Sequence, residues 1–310
     1  MYVKIAKLLK GIDRALLIGM GGGGDVVSTL PVAEFFKLFD VDCIHGGVIW
    51  ERVARDRKPG PLSIEEIDNC KTVNNCLAWI NSESNYRDLK LIASQVAEFL
   101  NCEVLGVDIT KGEVGLTKSL KDFVEREGVD LVVGVDAGGD SLARGYERGL
   151  HSPLADAIVL SSLSKLNSIV AVVGFGSDGE LTRDEIEIYL SEIARMDGVL
   201  GASLITCDFA DNVASFVEGV YTTASKIPIV ASRGYCGRVR VWDKNVVDVS
   251  ILNALIFYVK TDVICKLSSL PKVVEGSVDL WDANKRLHNI GLRTELDYEI
   301  EVFEREFKGT

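Results

Sequence analysis

The sequence predicts an α/β fold in which a doubly wound, mostly parallel sheet lies between two layers of helices, a Rossmann-like three-layer sandwich. Short apolar runs alternate with amphipathic segments of about 10 to 15 residues, which is the pattern of βαβ units. Runs such as residues 131–135 (LVVGV) carry no polar side chain, as in strands that are covered on both faces. With 310 residues, of which 47% are hydrophobic, the chain is long enough for one large core. We therefore expect a single domain over residues 1–310.

The elements are expected in a regular order along the chain. Strands are predicted at residues 15–19, 41–50, 103–107, 131–135, 169–174 and 227–231. Helices are predicted at residues 26–39, 89–100, 116–127, 153–166, 183–195, 213–226 and 245–258. Two stretches depart from this alternation. Residues 52–86, which include Pro59-Gly60-Pro61, predict an irregular insertion or a small hairpin lobe at the sheet edge, and residues 267–310 predict a charged C-terminal segment.

The charge balance argues against nucleic-acid and membrane partners. The chain has 46 acidic and 34 basic side chains, and its net charge of −12 would repel a phosphate backbone. The densest basic cluster, residues 52–58, is interrupted by Asp56 and contains no aromatic side chain on which bases could stack. No uninterrupted apolar run reaches the roughly 20 residues of a membrane span.

The cysteines indicate a reducing compartment. There are seven, an odd number, and no two form a CxxC pair. This pattern is typical of free thiols in a cytoplasmic protein and not of a disulfide framework or a zinc site. We expect a cytoplasmic location, and the sequence leaves open whether the chain forms a homo-oligomer.

The most distinctive motif is the glycine loop, residues 19–25 (GMGGGGD), which joins a predicted strand to a predicted helix. Glycine lets the backbone approach a ligand closely, and a helix N-terminus adds free N–H groups and a partial positive charge. We therefore expect Gly21, Gly22, Gly23 and Gly24 to bind a small anionic molecule, such as a phosphorylated or nucleotide-like metabolite. Asp25 either stabilises the helix dipole or binds a metal ion or a substrate hydroxyl.

NAD(P) is a less favoured ligand, although the glycine loop contains the pattern G-x-G-x-x-G. The dinucleotide fingerprint also requires an acidic residue at the end of the next strand. That position reads Ile44-His45-Gly46-Gly47, and the charge of Asp25 would repel a pyrophosphate. Because this strand is expected to end beside the ligand, Gly46 and Gly47 are ligand-binding candidates. His45 is a catalytic candidate there, with a purely structural role as the alternative.

A second acidic loop, residues 135–141 (VDAGGDS), follows the predicted strand 131–135. In a parallel sheet it emerges at the same edge as the glycine loop. Asp136 and Asp140 could therefore join Asp25 around a hard cation such as Mg²⁺, which prefers oxygen ligands and shares its shell with substrate phosphates. Either one could instead act as a general base, or both could cap the following helix. Ligand-binding candidates here are Gly138, Gly139 and Ser141.

Aspartates also follow other predicted strands, as at Asp108, Asp178 and Asp208. Ligands of open α/β sheets bind outside the carboxyl ends of the strands, so these positions add to an acidic cleft. Asp156 has a different interpretation. Ser152 and Pro153 predict the start of a helix, which makes Asp156 an acid of its first turn that stabilises the dipole.

These motifs together resemble a mainly archaeal family of uncharacterised proteins, catalogued as the domain of unknown function number 1152. The resemblance spans nearly the whole chain and is carried by residues 21–25 (GGGGD), 45–47 (HGG) with Trp50-Glu51, Gly60-Pro61-Leu62, 136–141 (DAGGDS), 152–156 (SPLAD) and Arg293-Thr294-Glu295. It implies one continuous domain. It implies no activity and no catalytic residue.

The leading hypothesis is an enzyme that binds a small phosphorylated or nucleotide-like metabolite in a glycine-rich acidic cleft, with Mg²⁺. The sequence does not decide whether the protein is catalytic. Two alternatives stay open: a dinucleotide-binding oxidoreductase, and a non-catalytic ligand-binding or assembly protein. Perturbed pKa values among the acidic residues would favour an enzyme, and a large exposed apolar patch would favour assembly.

Overall fold

The computed structural model describes residues 4–241 and 245–307. The last three residues of the predicted C-terminal segment lie outside the described residues. The strands are β1 Arg14–Gly19, β2 Asp42–Val48, β3 Lys71–Asn74, β4 Leu77–Ile80, β5 Asn85–Tyr86, β6 Leu89–Lys90, β7 Val104–Val107, β8 Leu131–Ala137, β9 Ser168–Val173, β10 Val199–Leu204, β11 Gly237–Arg240, β12 Val246–Val249 and β13 Leu255–Lys260.

The helices lie mostly between these strands. They are α1 Lys4–Leu9, α2 Asp25–Lys37, α3 Val53–Asp56, α4 Ile92–Leu100, α5 Gly112–Glu127, α6 Pro153–Leu163, α7 Arg183–Arg195, α8 Cys207–Gly219, α9 Lys226–Ser232, α10 Thr261–Leu267, α11 Leu270–Val274, α12 Leu280–His288 and α13 Glu295–Glu306. Short 3-10 helices lie at Ile64–Glu66, Asp140–Leu142 and Ile251–Ala254. Among the described residues, no helix combines the length and the apolar character needed to cross a membrane.

Nine strands form one mixed sheet in the order β10-β13-β9-β8-β1-β2-β7-β4-β3. The five central strands, β9, β8, β1, β2 and β7, are all parallel. The two outer strands at each edge pair with their neighbours in antiparallel fashion: β13 with β9 and β10 with β13 at one edge, and β4 with β7 and β3 with β4 at the other. The predicted α/β fold with a mostly parallel sheet is therefore confirmed.

The sheet separates two layers of hydrophobic core. Successive side chains of β1 point to opposite faces, so that Leu17 packs with α2 on one face and Leu16 and Ile18 pack with α6 on the other. The central strands are mostly apolar because both of their faces are covered.

The topology reverses direction at β1. From β1 the chain proceeds through β2 and β7 toward one edge, whereas β8 and β9 lie on the other side of β1. A crevice forms at the carboxyl ends of the strands where the order reverses, which here is between β1 and β8. The glycine loop follows β1 and the second acidic loop follows β8, so both emerge at this crevice.

Two predicted elements are wrong. Residues 227–231 lie in helix α9 and not in a strand, because Pro228 stands in the first helical turn, where its missing N–H costs nothing. Residues 245–258 form β12, a 3-10 helix and most of β13 instead of a helix. The alternating burial of β12 and the aromatic and β-branched residues of β13 favour strands over the helical period. Strand β10, which pairs with β13, was not predicted.

The segment 52–86 and the C-terminal segment both pack onto the main fold. Strands β3 and β4 form a hairpin that extends the main sheet beyond β7. Helices α11 and α12 pack against α6, and α13 contacts both α3 and α6. The C-terminal segment thereby reaches the N-terminal end of α6, beside the crevice.

Candidate functional site

Asp25 links the glycine loop to the second acidic loop. As the first residue of α2, it turns its carboxylate back to accept a hydrogen bond from the backbone N–H of Gly21 at 2.8 Å, and the backbone of Ala137 at the end of β8 lowers its pKa. Burial and the nearby Asp136 carboxylate raise the pKa of Asp25 to about 7. The carboxylate therefore occupies the place beside the loop N–H groups where an anion is expected to bind.

The other glycines of the loop are packed against protein. A side chain at Gly22 would meet the guanidinium of Arg52, one at Gly23 would meet Ile92, and one at Gly24 would meet the hydroxyl of Thr222. Gly21 differs, because its α-carbon faces the carboxylates of Asp25 and Asp156. The glycine run thus lets three protein segments converge on the loop, and Gly21 is the member that faces the acidic groups.

The second acidic loop holds Asp136 by a local hydrogen-bond network. The carboxylate of Asp136 accepts the backbone N–H groups of Gly139 and Ser141, each at 3.2 Å, and the hydroxyl of Ser141. Gly138 and Gly139 have φ values of +137° and +121°, which side chains rarely adopt. The turn therefore depends on its two glycines, and Ser141 positions Asp136.

Three carboxylates converge at the ends of β8 and β9. One oxygen atom from each of Asp136, Asp140 and Asp178 lies within 4.8 Å of the other two. All three residues are buried, and desolvation is the largest cause of the raised pKa of each; for Asp140 and Asp178 the neighbouring carboxylates raise the pKa further. Oδ2 of Asp178 has no hydrogen-bond partner among the described residues.

Two further carboxylates, Asp156 and Glu180, complete what we call the acidic cluster: Asp25, Asp136, Asp140, Asp156, Asp178 and Glu180. Ser152 lies between two of its members, 3.1 Å from Oδ2 of Asp140 and hydrogen-bonded to Glu180. A hydroxyl has one proton, so it cannot fully satisfy both carboxylates. Both carboxylates have a partner at Ser152 only if one of them carries a proton or if a cation takes the place of that proton.

Basic side chains do not neutralise this charge by direct pairing. None of the ion pairs in the described part of the chain includes Asp25, Asp136, Asp140, Asp156 or Asp178. Arg52 lies nearby and lowers the pKa of Asp25, but its guanidinium donates to the carbonyl of Gly21 at 2.6 Å. The backbone of Arg52 has φ +73° and ψ 138°, a strained conformation for a residue with a side chain.

Basic side chains of the cluster at residues 52–58 form ion pairs with acidic side chains of the same chain. Arg55 forms a buried ion pair with Glu51, and Lys58 pairs with Glu66. Its charges thus stabilise the segment that covers the glycine loop.

The structure brings Asp25, Asp136 and Asp140 to one crevice, together with Gly138, Gly139 and Ser141. It places His45 elsewhere. His45 pairs with Leu17 in the middle of β2, and its Nδ1 lies 2.8 Å from the hydroxyl of Thr29 on α2. The same hydroxyl lies 2.6 Å from the carbonyl of Val26, to which it donates. Burial lowers the pKa of His45 to about 4, so the ring is neutral near pH 7.

Gly46 and Gly47 also lie within β2, before its carboxyl end. A side chain at Gly46 would meet the carbonyl of Leu105, and one at Gly47 would meet Val26. These two glycines account for the close packing of β2 against β7 and α2, and they do not face the acidic cluster.

Sequence reasoning missed three contributors to the cluster. Asp178 was recognised as a strand-end acid but not joined to Asp136 and Asp140. Asp156 was interpreted as a dipole acid, and Glu180 was not considered. Strands β8 and β9 are neighbours in the sheet. Recognising that these two strands pair would have placed Asp136 beside Asp178.

A family model described as a protein of unknown function (DUF1152) matches residues 16–303. The chain belongs to the DUF1152 family. The match covers every member of the acidic cluster and all of the central sheet except the first two residues of β1. No curated protein and no solved structure gives a significant match to this DUF1152 protein.

Proposed function

We propose that this DUF1152 protein is a divalent-cation-dependent enzyme that acts on a small phosphorylated metabolite. Asp136, Asp140 and Asp178 hold the cation, with Mg²⁺ as the expected ion. The observation that carries the proposal is the convergence of three buried carboxylates within 4.8 Å, one of which keeps an oxygen without a partner.

Electrostatics supports a cation at this position. Burying an ionised carboxylate without a compensating charge costs several kcal/mol, so such a group either takes up a proton or binds a metal ion. Mg²⁺ prefers an octahedral shell of oxygen atoms about 2.1 Å from the ion, and it is commonly held by one or two carboxylates plus waters and substrate phosphates. Three aspartates from two neighbouring loops match that preference.

The phosphate is assigned to the cation because the protein offers few other positive groups there. Asp25 already accepts the N–H of Gly21, and a pyrophosphate at this place would be repelled by it. The same argument disfavours NAD(P). Gly21, Gly24 and Asp25 are partly exposed, so a ligand would approach the cation from the glycine-loop side. The role of Gly21–Gly24 is then to shape that approach.

Thermal unfolding with and without Mg²⁺ tests the proposal. A ligand that binds only the folded state stabilises it by about 2.7 kcal/mol at a concentration a hundredfold above its Kd. We expect Mg²⁺ to raise the Tm of the wild-type chain by more than it raises the Tm of Asp140→Asn. Without Mg²⁺, Asp140→Asn should unfold at a higher temperature than wild type, because it removes one of several mutually repelling carboxylates.

Asp88→Asn is the matched control, because it removes the same charge from an exposed position outside the cluster. It should keep the response to Mg²⁺ and the wild-type Tm. An identical Mg²⁺ response in wild type, Asp140→Asn and Asp88→Asn would show that the cation does not bind at this site. If the cation binds, phosphorylated metabolites should raise the Tm further with Mg²⁺ present and have no effect in EDTA.

A further inference from the structure

Asp156 is a buried carboxylate that the fold leaves without a partner. Only 4% of the residue is exposed, and neither of its oxygen atoms has a hydrogen-bond partner among the described residues. Its place in the first turn of α6 would ordinarily be explained by capping. Glu295 of α13 takes that role instead, because its carboxylate accepts the backbone N–H groups of Leu154 at 3.0 Å and Ala155 at 2.8 Å.

Asp156 faces Asp25 across Gly21. A β-carbon placed on Gly21 would lie 3.0 Å from Oδ2 of Asp25 and 3.6 Å from Oδ1 of Asp156, so the two carboxylates flank the same point. The charged groups that act most strongly on Asp156 are Asp136, Asp25, Glu295 and Glu180, all of them acidic. Asp156 therefore adds a negative charge on the glycine-loop side of Asp136.

A single cation on Asp136, Asp140 and Asp178 would leave this charge uncompensated. Asp25 and Asp156 are not among the carboxylates whose oxygens lie within 4.8 Å of one another, so they stand apart from the first cation position. Mg²⁺ dehydrates reluctantly and is usually bound by one or two carboxylates together with several waters, so two carboxylates suffice to hold it. The charge of Asp136 raises the pKa of both Asp25 and Asp156, and Asp136 itself belongs to the first position.

We infer that the crevice holds a second divalent cation, bound by Asp156 and Asp25 beside the first. This inference rests on the proposed function and narrows it. Paired cations about 4 Å apart clamp the attacking and leaving oxygens of an in-line displacement at phosphorus. The substrate class is therefore a phosphate ester or anhydride whose phosphate bridges both ions on the exposed side of the crevice, at Gly21 and Asp25.

Mn²⁺ binding to the chain of residues 1–310 tests the second position, because Mn²⁺ accepts the same ligands as Mg²⁺ and is visible by electron paramagnetic resonance. We expect two Mn²⁺ per wild-type chain and a spectrum broadened by spin coupling between neighbouring ions. Asp156→Asn should bind one Mn²⁺ with an uncoupled spectrum. Asp25→Asn, which keeps an oxygen to accept the Gly21 N–H, should do the same and provides a second variant if Asp156→Asn does not fold. Asp88→Asn should keep two coupled ions.

The outcomes separate the second position from the first. One Mn²⁺ per wild-type chain that is lost in Asp178→Asn and retained in Asp156→Asn would overturn the second position while the proposed function stands. Two Mn²⁺ without spin coupling would also overturn it, because the ions would not lie beside each other. No Mn²⁺ binding to wild type would overturn both.

Discussion

The carboxylate of Asp178 fills the space beside the α-carbon of Gly138 that any side chain at position 138 would need. Gly138 therefore has two requirements that exclude other residues: its φ of +137° and the contact with Asp178. The loops after β8 and β9 are also joined by a backbone hydrogen bond from Gly176 to Gly138 at 2.6 Å. This relationship explains how two separate loops bring Asp136 and Asp178 to one point.

Gly138→Ala should weaken the response to Mg²⁺. The new methyl group would displace Asp178 from Asp136 and Asp140, and the strained backbone should cost about 1 to 3 kcal/mol of folding free energy. Urea unfolding measures that cost, and the Tm shift with Mg²⁺ measures the site.

Gly128→Ala is the control, because Gly128 has φ +63° and a side chain there would meet no atom within 4 Å. It should lose about 1 kcal/mol of stability and keep the Mg²⁺ response. A Gly138→Ala variant with an unchanged Mg²⁺ response would show that Asp178 is not a ligand.

The stability of the metal-free protein should fall as the pH rises from about 4 to about 7. Burial raises the pKa of both Asp25 and Glu295 to about 7, from ordinary values of 3.8 and 4.5. In that range the folded chain keeps protons that the unfolded chain has released, so the free energy of unfolding decreases with increasing pH. Each tenfold change in an acid constant corresponds to about 1.4 kcal/mol. Urea unfolding in EDTA across this range measures the slope.

Asp25→Asn should reduce this slope, and Mg²⁺ should raise the stability mainly at the upper end of the range, where protons no longer compete. The exposed Glu125 provides a control, since Glu125→Gln should leave the slope unchanged. A stability that increases from pH 4 to 7 in EDTA would contradict the burial of ionisable groups in the acidic cluster.

The sequence predicted the central part of the fold because the parallel strands are apolar and the glycine and acidic loops mark their ends. Helix α7 has the predicted bounds, residues 183–195, since Thr182 and Glu185 form a capping box at its start. The antiparallel edge could not be predicted in the same way. Strand β10 contains Gly201 and has an irregular, partly exposed pattern, and its pairing with β13 depends on contacts distant in sequence.

The sequence predicted only part of the acidic cluster. Asp136 and Asp140 share a loop, and Asp25 is predicted beside them because both loops emerge at one edge of a parallel sheet. Asp178 joins them because β9 is the neighbour of β8 in the sheet. Asp156 illustrates a different difficulty. Its position in the first turn of α6 favours a capping role, and only the contact of α6 with α13 gives that role to Glu295. His45 was predicted at the end of a strand that in fact continues to Val48.

Glu299→Ala should be among the most destabilising single substitutions outside the acidic cluster. The buried carboxylate of Glu299 on α13 accepts the indole N–H of Trp50 and the backbone N–H of Gly60, each at 2.8 Å, and a longer bond from the backbone N–H of Val53 at 3.4 Å. Removing it leaves these donors without their acceptor and Arg52 without its ion-pair partner, for which we expect a loss of about 3 to 5 kcal/mol. Urea unfolding measures the loss.

The same substitution should also loosen the segment that covers the glycine loop, because Arg52 lies over the ring of Trp50 and donates to the carbonyl of Gly21. Hydrogen exchange should therefore become faster in residues 50–61 as well as in α13. Glu301→Ala is the matched control on the same helix: its exposed ion pair with Arg293 is worth at most about 1 kcal/mol. Equal losses of stability in the two variants would mean that α13 is not anchored through Glu299, and that the C-terminal segment holds the crevice by other contacts.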